Sequence, residues 1–260
     1  MVISMRQYVS LMMVAARSRL WQVVLITAGT SAAQVALAIS MLNKMSLYGF
    51  MQNSLFHLLF TVGLVLICLS LASFGMERGG SKLGYTLRRL PCGEERATLI
   101  FALHHFLCLL IYWGGQIAAA WYIALRFCAL SDDAFPMLVF YYSGWFHGIL
   151  PGLDWPIYIR NVVMLAALAM AAATCSYHWR RGDKPFTVVP LAAFAGLSFP
   201  ADIGAFGLPG PGSDFVASLP NVYAKVPDNI MVALFQLAVF VTALIIVTYN
   251  LIGRARYVDT

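Results

Sequence analysis

Six long apolar runs, separated by shorter polar and aromatic stretches, set the layout of this chain. About 20 apolar residues cross the ~30 Å hydrocarbon layer of a membrane as a helix. The runs 20–42, 55–76, 99–124, 158–175, 186–205 and 230–252 meet or approach that length. Arg160, Pro190 and Pro200 interrupt or flank the fourth and fifth. Backbone groups in lipid have to be paired within their own segment, so each run predicts a helix, and an open sheet is excluded. The expected fold class is all-α, a polytopic membrane protein with six transmembrane helices over residues 20–260.

The stretches between the runs carry patterns of their own. Residues 1–19 mix Met, Val, Leu and Tyr with Arg6, Arg17 and Arg19, which predicts an N-terminal amphipathic interfacial helix, with a frayed basic tail as the alternative. Between the third and fourth runs, FYYSGWFHGILPGLDW has the aromatic and Gly content of an interfacial belt. Residues 207–228 hold Pro209, Pro211, Pro220 and Pro227 with Gly207, Gly210 and Gly212, so they predict a broken external segment and not one helix.

Composition agrees with the pattern. Of 260 residues, 61% are hydrophobic and 11% charged, against about 25% charged in soluble domains. A net charge of +6 raises the question of nucleic acid, but the basic residues sit in the gaps between apolar runs. With the N-terminus inside, thirteen Lys and Arg residues fall on the inner side and four, Lys44, Arg126, Arg160 and Lys225, on the outer. The positive-inside rule then places both termini in the cytoplasm and the chain, multi-pass, in the cell (plasma) membrane. The first long run is long enough to stay in the membrane, so no cleavable signal peptide is expected. Cys68, Cys92, Cys108, Cys128 and Cys175 form no CxxC pair and read as small hydrophobes.

The segment 77–98, ERGGSKLGYTLRRLPCGEERAT, is longer than a turn requires. Leu83, Leu87 and Leu90 fall on one helical face at i, i+4 and i+7. Ser81 is placed to cap that helix and Pro91 to stop it. A second helix is predicted from Gly93, where Glu94 and Glu95 complement the positive N-terminal dipole.

These residues resemble the permease subunits of ABC-2-type ABC exporters, which have six spans, an N-terminal interfacial helix and a cytoplasmic loop between the second and third spans. That loop begins with Glu and Gly and ends in Leu-x-x-Leu-Pro, matched here by Glu77, Gly79 or Gly80, Leu87, Leu90 and Pro91. The resemblance implies that this loop is a coupling helix that docks on an ATPase subunit, with Tyr85 and Arg88 also projecting toward that partner. It also implies short broken helices between the fifth and sixth spans, similar in position to 207–228. The chain departs from the family in having Cys92, Gly93 and Glu94 after the proline, and in its paired glycines, Gly79 and Gly80.

Other chemistry is weaker. There is no GxxxxGK[ST], so ATP and Mg are expected on a separate ATPase chain, with no cofactor or metal held here. His104 and His105 invite a haem reading, but His57 differs in depth by roughly 15–20 Å at ~1.5 Å per residue. Glu94-Glu95 followed by Phe101-x-x-x-His105 superficially resembles intramembrane prenyl-endopeptidases of the CAAX type, yet no later His lies within a span. Gln34, Gln116 and Gln236, with Arg160 and Asp202 near the outer ends of their spans, are candidate pathway residues or interhelical hydrogen-bonding groups. The expected function is a non-enzymatic permease subunit of an ATP-driven exporter. Its expected partners are an ABC ATPase subunit, a second copy of the chain or a homologous permease, and membrane lipids, with no nucleic acid. The alternative is a motor-less six-span membrane scaffold or antimicrobial-peptide immunity protein.

Overall fold

The computed structural model describes residues 5–42, 44, 50, 53–75, 94–130, 136, 140, 144–151, 155–182, 187–198 and 226–258. Among them the regular elements are helices: α1 (Met5–Met41), α2 (Ser54–Ala72), α3 (Glu94–Cys128), α4 (Gly144–Ile149), α5 (Trp155–Arg180), α6 (Val188–Leu197) and α7 (Val226–Val258). Five of them, α1, α2, α3, α5 and α7, are long and apolar enough to cross a membrane, which fits a multi-pass membrane protein.

The apolar runs locate these helices, and polar residues at their ends extend them. Glu94, Glu95 and Arg96 form the first turn of α3 ahead of its apolar body, and α5 continues through Ser176 to Arg180. Asn53 caps α2, its side chain accepting from the Leu55 N–H at 2.9 Å. After α2 and α5 the chain turns at Gly75 and Gly182, with φ of 80° and 94°, a conformation that side-chain-bearing residues rarely adopt. α1 runs without a break through residues 19 and 20, where the sequence predicts a boundary between an interfacial helix and the first span.

The expected fifth span, 186–205, is described only as the ten-residue α6. At ~1.5 Å per residue, α6 covers about half of the ~30 Å hydrocarbon layer. Pro190 is accommodated in its first turn, where the missing N–H is unneeded, and the helix stops short of Pro200. Residues 199–225, which include Asp202 and most of the 207–228 segment, lie outside the described residues.

α1 packs on α3 and α2; α5 packs on α7, α3 and α2; α6 packs on α2 and α5. The start of α1, the end of α2, the start of α3 and the end of α5 meet at one end of the bundle, where Arg19 reaches Ser73 and Arg180 reaches Glu94. At the other end Phe50, Phe56, Phe127, Trp145 and Phe146 form one aromatic cluster, with the Phe56 and Trp145 rings stacked at 5.4 Å. Phe140, Trp145 and Phe146, expected in an interfacial belt, are instead buried in the core. α4 places the Trp145 and Phe146 rings in this cluster and so fills that end of the bundle with apolar area.

Candidate functional site

Buried charge among the described residues lies at two places, one at each end of the bundle. At the first, α3 opens with Glu94 and Glu95, and α5 closes with Tyr177, Arg180 and Arg181. Glu94 accepts from Arg180 Nε at 3.3 Å and from Arg181 Nη2 at 3.4 Å. The Glu94 and Arg180 side chains are 4% and 1% exposed. Glu95 accepts from the Tyr177 hydroxyl at 3.1 Å and from Arg181 at 3.5 Å, and the Arg181 guanidinium lies 4.3 Å from the Tyr177 ring centroid. Carboxylates at the start of α3 and guanidinium groups at the end of α5 also suit the helix dipoles.

The same network reaches the end of α2. Ser176 Oγ donates to the Phe74 carbonyl at 2.9 Å, and Arg180 Nη1 donates to Ser176 Oγ and to that carbonyl. From α1, Arg19 Nη2 donates to the Ser73 carbonyl at 2.6 Å. Gln22 Oε1 accepts from both Arg19 and Ser70. Ser73 and Phe74 lie just ahead of Gly75, the last described residue before the 76–93 segment, and Glu94 is the first described residue after it. Both feet of that segment are therefore fastened to two other helices, α1 and α5. The residues that carry the family resemblance, Glu77, Gly79, Tyr85, Leu87, Arg88, Leu90 and Pro91, lie outside the described residues.

At the opposite end Arg160 is 1% exposed, near the start of α5. It donates to Asn161 Oδ1 at 2.7 and 3.1 Å and to Gln236 Oε1 at 2.9 Å. Asn161 Nδ2 donates to the Gly148 carbonyl at the end of α4, and Gln236 Nε2 donates to the Ser198 carbonyl just past α6. One guanidinium thus ties together α4, α5, α6 and α7. The C-terminal dipole of α6 favours this cation. Of the five pathway candidates, Arg160 and Gln236 are brought together here. Gln34 and Gln116 lie elsewhere, on α1 and α3, and Asp202 is outside the described residues.

The His pair belongs to neither centre. His104 lies 3.7 Å from Cys108 Sγ within α3, and His105 is fully buried beside Phe74. The Glu pair is held by Arg180, Arg181 and Tyr177. Sequence reasoning counted Arg180 and Arg181 only among the inner-side basic residues, read Arg19 as part of the interfacial helix, and passed over Asn161 and Tyr177. The available signal was the Tyr177-x-x-Arg180-Arg181 spacing, which puts three polar groups on the last turns of an apolar helix. Comparison of the chain with protein-family models, with curated proteins and with solved structures finds no match in any of the three.

Proposed function

We propose that the chain is the membrane-spanning permease subunit of an ATP-driven exporter of the ABC-2 type, with ATP hydrolysed on a separate ATPase subunit and two permease chains enclosing the pathway. The observation that carries this reading is the fastening of both feet of the 76–93 segment to α1 and α5. A loop that only reverses the chain needs no such attachment. A loop that receives force from a motor does, because displacement of Glu94 or Phe74 is then passed through buried ion pairs and hydrogen bonds to helices on both sides. The i, i+4, i+7 spacing of Leu83, Leu87 and Leu90 in the sequence would give a helix there an apolar face for the partner, and the basic end supports its placement in the cytoplasm.

The test is co-purification of the tagged chain with the ATPase encoded beside it. Leu87→Asp with Leu90→Asp is expected to release the ATPase while the permease stays monodisperse. A retained complex with undiminished transport would refute the coupling role.

A further inference from the structure

Three guanidinium groups at the Glu94 end of the bundle turn inward. Arg19 donates to the Ser73 carbonyl and to Gln22, while Arg180 and Arg181 pair with Glu94 and Glu95. Two others do not. Arg17 on α1 and Arg96 on α3 are exposed, and neither makes an ion pair or hydrogen bond among the described residues. Both flank the same helix contact. α1 and α3 pack side by side, with Ala15, Ala97 and Phe101 in one buried cluster. Arg17 follows Ala15 by two residues, and Arg96 immediately precedes Ala97.

Each arginine also heads an exposed apolar stripe. On α1, Leu20, Trp21 and Val24 follow Arg17 at i+3, i+4 and i+7, and all three are exposed. On α3, Leu99 and Leu103 follow Arg96 at i+3 and i+7, and both are exposed. α1 and α3 are long and apolar enough to cross a membrane, so such stripes meet acyl chains. A guanidinium at the polar end of the stripe then lies at headgroup depth. Trp21 marks the same level, because indole rings favour the membrane interface. A cation there is complemented by phosphate, which accepts two parallel N–H groups from one guanidinium. The carboxylates of this end, Glu94 and Glu95, are already held by Arg180 and Arg181. A zwitterionic headgroup offsets the attraction with its own ammonium; a net-negative one keeps it.

We propose that Arg17 and Arg96 form a docking surface for the headgroup of an anionic phospholipid, on the lipid-facing side of α1 and α3. The surface is independent of ATP coupling, and its test needs no transport assay. The full chain in detergent is titrated with phosphatidylglycerol, or with phosphatidylcholine of the same acyl chains, and bound lipid is counted by native mass spectrometry. Phosphatidylglycerol is expected to bind the more tightly. Arg17→Gln and Arg96→Gln should each weaken it about fivefold and leave phosphatidylcholine unchanged. Arg126→Gln, at the opposite end of α3, should change neither. Equal binding of the two lipids, or equal loss in Arg126→Gln, would show diffuse attraction only and overturn the proposal. Displacement of the lipid by excess inorganic phosphate would show a site for a free anion and overturn the lipid assignment. Both arginines are exposed, so the glutamine variants are expected to fold. Arg17→Lys with Arg96→Lys keeps both charges and should still prefer phosphatidylglycerol; loss of that preference would overturn the role of charge.

Discussion

Glu94 accepts from two guanidinium groups at once, and these interactions differ in burial. Arg180 is almost fully covered, whereas the Arg181 side chain is 34% exposed. Removing one partner of a buried pair strands the other charge, and the typical cost is about 3–5 kcal/mol. Glu94→Ala is therefore expected to destabilise the bundle by about that amount, read as a lowered midpoint in detergent denaturation. Glu94→Gln keeps the volume and an acceptor oxygen and should fall between Glu94→Ala and the parent. Arg181→Ala removes two partly exposed ion pairs, to Glu94 and Glu95, and a cation–π contact to Tyr177, together about 1 kcal/mol. The ordering is the sharp part: if Arg181→Ala costs as much as Glu94→Ala, the network is not anchored on the buried Arg180.

The elements are held together by close approach as well as by charge. A Cβ placed on Gly115 would collide with Thr27 Cγ2, while one on the adjacent Gly114 would meet nothing within 4 Å. Thr27 is β-branched, with few helix-compatible rotamers, so its methyl has little freedom to move away. Gly115→Ala is expected to cost about 1–3 kcal/mol by overpacking, and Gly114→Ala to be nearly neutral. Thr27→Ser removes the colliding methyl, so Thr27→Ser with Gly115→Ala should recover most of the loss in the same denaturation assay. Additive losses would mean that α1 and α3 are not in contact at this level. Gly63 plays a similar part for α2, where a Cβ would come within 2.5 Å of Tyr112 Oη and 2.7 Å of Thr30 Cγ2. Helix location was legible in the sequence because lipid demands long apolar runs, and 99–124 and 158–175 sit inside α3 and α5. The helix ends were not, since Glu94–Arg96 and Ser176–Arg180 are polar residues that belong to the helices through pairing 86 positions apart. The half-length α6 was hidden by the apolar run around it, although Pro190 and Pro200 marked its limits. Of the site, Gln34, Gln116, Arg160 and Gln236 stood out as polar residues in apolar surroundings. Their grouping was not visible, because only packing brings Gln236 to Arg160.

For the whole molecule, the decisive question is which side of the membrane the Glu94 end faces. Thirteen of seventeen basic residues are assigned to that side, so the expected orientation is inward. In intact cells carrying the chain with its five native cysteines replaced by serine or alanine, Lys184→Cys, two residues past Gly182, is expected to resist a membrane-impermeant maleimide until the cells are opened. Leu130→Cys, at the opposite end of α3 and 63% exposed, should label from outside. The experiment bears directly on function, because the feet at Phe74 and Glu94 share the end of the bundle with Arg180 and the chain that continues into Lys184. Labelling of Lys184→Cys from outside would put the 76–93 segment in the external medium. No cytoplasmic ATPase could then reach it, and the clamp formed by Arg19, Arg180 and Glu94 would need a partner on the outer surface. Protection of Lys184→Cys with labelling of Leu130→Cys leaves the segment where a motor can engage it, with its two feet already tied to α1 and α5.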